Sequence, residues 1–339
     1  MKRLLIPLCL LAMLLPFGAG AQKKQMVFGV AFYNLENLFD TINNNGKYDL
    51  EFSPQGERQW DGKKYWSKIN NLSYAISRMV TEYTPQGPAV IGCSEVENIT
   101  VLQDLVKADN IKDWNLQVIH HDSPDRRGID VGLLYNPKFF KPIHTTNHRL
   151  DIGYPTRDQM CVVGLLGGCR TAIIVNHWPS RRGGEKESSP NREAAAALTR
   201  QICDSLYKID PNMGVVIMGD LNDDPSNKSV AEVIGAVKNP KDCHEGGYYN
   251  PFWKKLDDGI GSYIYRGSWD LFDQIIVNYN LLKGINGLKF LTSKVWNDQF
   301  LLQQDGQYKG YPLRTYSAGR WTNGYSDHLP TEIFLVRDL

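Results

Sequence analysis

The chain has 339 residues, 38 of them basic and 37 acidic, for a net charge of +1. That balance excludes a protein that coats nucleic acid by bulk charge, but leaves room for a local basic groove. A hydrophobic share of 42% with eight Trp describes a packed globule rather than a disordered chain.

Residues 1–21 read as an export signal. Lys2 and Arg3 supply the positive start, 4–15 the apolar run, and Ala19-Gly20-Ala21 the small-residue cleavage site. A membrane anchor needs roughly 20 apolar residues; this run is shorter, and Pro7, Pro16 and Gly18 interrupt it. The reading places the protein in the periplasm or outside the cell. No linker, repeat or charge run divides the remainder, so 25–339 is expected to form one large α/β domain. It retains Cys93, Cys161, Cys169, Cys203 and Cys243. With no C-x-x-C and no His/Cys cluster, structural zinc is not expected, and an odd number leaves at least one thiol free.

Apolar runs rich in β-branched residues predict strands at 27–33, 89–93, 132–135, 171–176, 214–218, 274–278 and 332–336. Helices are predicted at 65–81, with Ile69, Leu72, Ile76 and Val80 on one face, and at 192–208 behind Pro190. Gly167-Gly168 signals a hairpin, so the sheets should be mixed. The stretches 41–60 and 238–266 read as long surface loops.

Polar side chains with chemical uses gather where these strands begin or end: Asn34, Glu95, His177, Asp220, and Asp273. In G-D-L-N, Asp220 and Asn222 stand two apart and so face one site on an extended chain; a carboxylate beside a carboxamide can orient a water and bind a phosphoryl oxygen. An Asx turn is the plain alternative. Glu95 offers one carboxylate to a hard cation, with Glu97 on the same face as its support. Asp327-His328 precedes the final strand. Asp273 is the expected partner of His328, with Asp270 as competitor, because a carboxylate on one imidazole nitrogen fixes the tautomer and raises the basicity of the other. Arg126, Arg127, Arg181 and Arg182 flank glycines and are candidates for gripping phosphate, Arg127, Arg181 and Arg182 foremost.

Taken in order, Asn34 in F-Y-N-L-E-N-L-F-D, Glu95 in G-C-S-E-V-E-N, R-G-I-D-V-G-L-L-Y at 127–135, N-H-W at 176–178, G-D-L-N at 219–222, Asp273, and S-D-H-L-P resemble the endonuclease/exonuclease/phosphatase family over nearly the whole chain. The resemblance implies a four-layer α/β/β/α sandwich of two mixed sheets with its site at one end. It also implies a cation, Mg²⁺ or Mn²⁺ with Ca²⁺ as a further candidate, held by Glu95 and Asn34 and reached by Asp327. Asp220 and Asn222 would position the attacking water, and His328, supported by Asp273, and His177 would be the catalytic histidines.

Two activities fit such a site. The first is an exported endonuclease acting on DNA or RNA as a monomer with no stable protein partner, using Arg126, Arg127, Arg181, Arg182 and Lys186 as a basic groove and Trp178 or Tyr263 to stack bases. The alternative is a phospholipid or sugar-phosphate phosphoesterase, sphingomyelinase-like, for which 246–266 with Tyr248, Tyr249, Phe252 and Trp253 would be the bilayer hairpin. The 40–51 stretch has the composition of a calcium loop, but its spacing fails the EF-hand pattern and an Asn/Gly turn fits better.

Overall fold

The computed structural model describes residues 24–42 and 50–339; the expected export segment and most of the 40–51 loop lie outside the described residues. In chain order the first elements are β1 (Gln25–Leu38), α1 (Gly62–Ser77), β2 (Val90–Val96), α2 (Ile99–Lys107), β3 (Gln117–His120), β4 (Asp130–Tyr135), β5 (Phe140–His148), β6 (Gln159–Leu166) and β7 (Cys169–His177). Then follow α3 (Glu185–Ile209), β8 (Gly214–Asp220), β9 (Ala236–Val237), β10 (Tyr248–Tyr249), α4 (Phe252–Asp257), β11 (Tyr263–Tyr265), β12 (Ser268–Asp270) and β13 (Asp273–Asn278). The chain ends with α5 (Tyr279–Lys283), β14 (Lys289–Val295), β15 (Tyr316–Ser317), β16 (Arg320–Trp321) and β17 (Thr331–Asp338).

One sheet runs β14-β17-β1-β2-β4-β3 and the other β5-β6-β7-β8-β13-β10-β9. Both are mixed: β1 and β2 are parallel, as are β7 and β8, and the other long pairs are antiparallel. Period-two alternation sorts the side chains between layers. Ile173 and Val175 of β7, with Val216 and Met218 of β8, join the core between the sheets. Their neighbours Ala172, Ile174, Val215 and Ile217 pack outward with Ala195, Ile202 and Leu206 of α3. On the far side, Ile69, Leu72 and Ile76 of α1 and Val101, Leu102 and Leu105 of α2 cover the first sheet. The result is the expected α/β/β/α stack. Gly92 marks where the sheets come closest, since a Cβ there would sit 2.4 Å from Met218 Sδ.

Each predicted strand forms, with longer ends. The helices shift for identifiable reasons. α1 starts at 62 because the Asp61 carboxylate accepts from Lys64 N at 2.9 Å and caps it. α3 starts at 185 rather than 192, leaving Pro190 inside the helix. The buried Arg192 holds that early turn, donating to Glu185 O at 2.8 Å and Ser188 Oγ at 2.8 Å. The stretch 238–266 is not a surface loop throughout: Tyr248 and Phe252 are buried in the two cores, which removes it as an apolar hairpin for a bilayer. Among the described residues no helix is long and apolar enough to cross a membrane, and all five cysteines are free and buried.

Candidate active site

Parallel and antiparallel pairing bring the ends of six strands to one edge of the sandwich. Asn34 of β1 pairs with Ser94 of β2, His177 of β7 with Asp220 of β8, and Asp220 with Asp273 of β13. β17 pairs antiparallel with β1, so the Ser326–Pro330 segment just before it arrives at the same edge.

Asp220 is the hub. Its Oδ2 accepts from Asn34 Nδ2 at 3.0 Å, and its Oδ1 accepts from Asn222 N at 3.0 Å. His177 Nε2 lies 3.6 Å and His328 Nε2 3.8 Å from Oδ2. Asn222 therefore satisfies both sequence alternatives: it closes an Asx turn on Asp220, at φ 50°, and still lines the cleft. Its Nδ2 donates to Trp178 O at 3.0 Å.

His328 Nδ1 lies 2.7 Å from Asp273 Oδ2, so Asp273 is the partner and Asp270 is not. Ser262 Oγ donates to the same Oδ2 at 2.6 Å and accepts from Asp273 N at 3.1 Å. Tyr263 walls the imidazole, its ring 4.8 Å away. Burial works against a charged imidazole, but Asp273 and Asp220 outweigh it and hold the His328 pKa well above its ordinary value. The Asp220 carboxyl is pushed up to about 7, chiefly by burial, with His328 pulling it down. His177 is driven the other way: burial, then Arg157 and Arg127, keep it neutral, and its Nδ1 has no hydrogen-bond partner among the described residues.

Glu95 sits at φ 59° in a bulge where the β2–β4 register slips, and this breaks the two-residue rule that put Glu97 beside it. Glu97 is buried and accepts from Asp40 N at 2.6 Å instead. The Glu95 carboxylate lines the cleft, taking one bond from Asn37 N at 2.9 Å and one from Arg127 at 3.3 Å. Asp327 lines the cleft too and accepts from Arg314 at 2.9 Å. Burial would raise its pKa, yet Arg314 and His328 hold it below the usual carboxylate range. Glu95 and Asp327 both turn carboxylate oxygens to the cleft, the kind of donor that Mg²⁺ or Mn²⁺ takes. Asp220, Asp273 and His328 also bring potential ligand atoms within 4.8 Å of one another, but the short His328–Asp273 hydrogen bond accounts for that group. His120, Asp122 and Asp130 form another such group away from the cleft.

Glu95, Arg127, His177, Asn222, Asp327 and His328 line an open cleft of ≈ 700 Å³. Arg182 stands exposed at its mouth. Arg181 is engaged internally: it donates to Asn222 O at 3.0 Å, Asp224 at 3.1 Å and Asn227 at 3.0 Å, and its guanidinium lies 4.5 Å from the Phe272 ring centre. Trp178, expected as an exposed stacking ring, is 1% exposed and packs under α3.

Several contributors had no signal of their own. Arg157 braces the β7 end through His177 O at 3.2 Å and Trp178 O. Glu36, buried beside Lys68, accepts from Arg314 at 3.2 Å and from Thr315 N at 2.7 Å, tying β1 to Asp327. Glu36 lay within the F-Y-N-L-E motif and could have been singled out there; Arg157, Ser262 and Arg314 sit in no motif.

A sequence model described as the endonuclease/exonuclease/phosphatase family matches residues 29–337. No match is found among curated proteins. Among solved structures, TDP2 of D. rerio, complexed with a single-strand DNA product, is 14% identical with a TM-score of 0.56, covering 91% of this chain and 98% of that one. An endonuclease/exonuclease/phosphatase family protein of Bacteroides thetaiotaomicron is 16% identical, TM-score 0.55, covering 94% and 97%. The mannosyl-6-phosphatase of B. thetaiotaomicron VPI-5482 is 16% identical, TM-score 0.54, covering 91% and 99%. At these identities the likeness is one of fold.

Proposed function

Since the chain belongs to the endonuclease/exonuclease/phosphatase family, a family of phosphoester hydrolases, we propose that it is a divalent-metal-dependent phosphodiesterase that cuts nucleic acid by in-line attack of water. The observation that carries this reading is the His328 imidazole, anchored through Nδ1 to Asp273 at 2.7 Å with Nε2 turned toward Asp220.

Asp220, with a pKa near 7 and both oxygens fixed by Asn34 and Asn222, is placed to orient the attacking water and take its proton at Oδ2. His328 keeps a proton on Nε2 and donates it as a hydrogen bond to a non-bridging phosphoryl oxygen. Neutral His177, which lines the cleft with Nε2 3.6 Å from Asp220 Oδ2, supplies a second hydrogen bond to the phosphoryl group. Glu95, Asp327 and Asn34 would hold the cation, and a bound Mg²⁺ or Mn²⁺ neutralises charge on the phosphoryl oxygens and leaving group. Ca²⁺ suits this set less well, because it takes 6–8 oxygen ligands. Arg127 and Arg182 grip flanking phosphates; Arg181, with its donors committed, braces the loop that carries Asn222.

The nucleic-acid reading is favoured over the lipid one by the walls of the site. The segment that would have entered a bilayer is buried through Tyr248 and Phe252, whereas the cleft is walled by Tyr263, Tyr265 and Arg266. The export signal read in 1–21 is the ground for proposing an exported enzyme, periplasmic or secreted, and we propose that it acts as a monomer. The test is hydrolysis by the mature chain, with Mg²⁺ or Mn²⁺, of plasmid DNA, RNA, sphingomyelin and a hexose phosphate. Cleavage of DNA or RNA is expected; turnover confined to the lipid or the sugar phosphate would refute the nuclease assignment.

A further inference from the structure

Beside the catalytic cleft runs a second groove of ≈ 260 Å³. It shares Tyr263, Tyr265, Arg266 and Asp327 with the cleft, and continues between the β11–β12 hairpin and the 303–311 loop. The two walls stand close: a Cβ at Gly267 would lie 3.8 Å from Tyr311 Oη.

Two features of this groove are unexplained by folding. The first is ring exposure. Tyr265 is 55% and Tyr308 38% exposed, and both line the groove. Tyr308 packs edge-on against Tyr311 at 5.5 Å and presents the rest of its ring outward. The second is the turn chemistry. Arg266 and Gly267 connect the hairpin with φ of 49° and 87°. A two-residue turn with both φ positive prefers Asn, Asp or Gly at its first position, and a long side chain there is disfavoured. An arginine held in that conformation is a local cost with a use elsewhere. Its guanidinium lies over the Tyr265 ring, 5.1 Å from its centre, and both residues line both grooves.

We infer that Tyr265, Arg266 and Tyr308 form a base-stacking subsite, which holds the nucleoside next to the scissile phosphate and selects single-stranded nucleic acid. Aromatic faces with an adjacent guanidinium bind unpaired bases whatever their sequence, and a base within a duplex has no free face to offer. Asp327, on the wall common to both grooves, ties the subsite to the reacting phosphate. The inference rests on the nuclease reading above and adds to it the strand state of the substrate.

The experiment compares kcat/KM for a labelled single-stranded 12-mer, the matched duplex and bis(p-nitrophenyl) phosphate, using wild type, Tyr265→Ala, Tyr308→Ala and Arg266→Asn. Arg266→Asn puts a favoured residue into the turn, so the hairpin is retained while the guanidinium is lost. Wild type is expected to prefer the single strand to the duplex. In each variant the ratio of single strand to small diester should fall, by about tenfold to a hundredfold for the tyrosines, the range expected for losing one stacked base. Variants with an unchanged ratio, in an enzyme that does cut the 12-mer, would overturn the subsite and leave the nuclease reading standing. A wild type that cuts only the small diester would overturn both.

Discussion

Glu332→Gln should flatten the dependence of stability on pH. Glu332 lies on β17, fully buried, with Oε2 accepting from Trp296 Nε1 at 2.9 Å and Oε1 without a hydrogen-bond partner among the described residues. Burial raises its pKa from 4.5 to about 8, with the Trp296 bond and Lys294 pulling it back only in part. The folded protein therefore keeps a proton that the unfolded chain has already released. Its stabilising effect is complete below pH 4.5 and drains away as pH rises toward 8. At about 1.4 kcal/mol per pH unit, the loss across that window is on the order of 3–5 kcal/mol. The glutamine keeps the acceptor for Trp296 and has no proton to lose. Urea unfolding of both proteins from pH 5 to pH 9 reads this directly: the stability difference should shift in favour of Glu332→Gln by a few kcal/mol. Curves that stay parallel to within about 0.5 kcal/mol, the usual scatter for independent sites, would refute the assignment of a protonated carboxyl.

Other perturbations separate catalysis from folding. Asp273→Asn removes the charge that orients His328 and should lower kcat by about 10²–10⁴, with KM changed far less, in steady-state kinetics on any substrate that is cut. Chelation should abolish turnover and added Mn²⁺ or Mg²⁺ restore it, with Glu95→Gln needing a higher metal concentration for half-maximal rate. Arg181→Ala leaves Asp224 and Asp270 without their shared cation and should cost about 1–3 kcal/mol in denaturant unfolding, a loss a mere substrate contact would not cause. Gly92→Ala forces a methyl against Met218 across the sheet interface and should destabilise by about 1–3 kcal/mol.

The strands were legible because their side chains are dictated by burial on both faces. Val215 to Met218, packed toward α3 and the opposite sheet in turn, leave little room for anything but β-branched and apolar residues. Edge strands escaped for the converse reason: β5 carries Pro142, His144 and Asn147 on a half-exposed edge, and β14 alternates with Lys and Thr. The interior strand β6, buried almost throughout, escaped as well, so burial alone does not make a strand legible. The polar residues at strand ends were legible as a set, since nothing in packing asks for Asp220, Asn222, Asp273 and His328 there. What the two-residue rule could not see was a bulge. At φ 59°, Glu95 enters the cleft while Glu97 turns away to Asp40. Trp178 likewise follows a strand end, where exposure is the ordinary outcome, but the Arg157 and Asn222 bonds to its carbonyl turn the chain so that the ring goes under α3.

The most direct test is cleavage of a labelled single-stranded DNA by the purified protein in Mg²⁺, set beside His328→Ala and beside wild type in excess chelator. Cleavage is expected from wild type with metal alone. Cleavage that survives both the substitution and the chelator would contradict the site described here, and an intact strand in all three reactions would contradict the proposed activity on DNA.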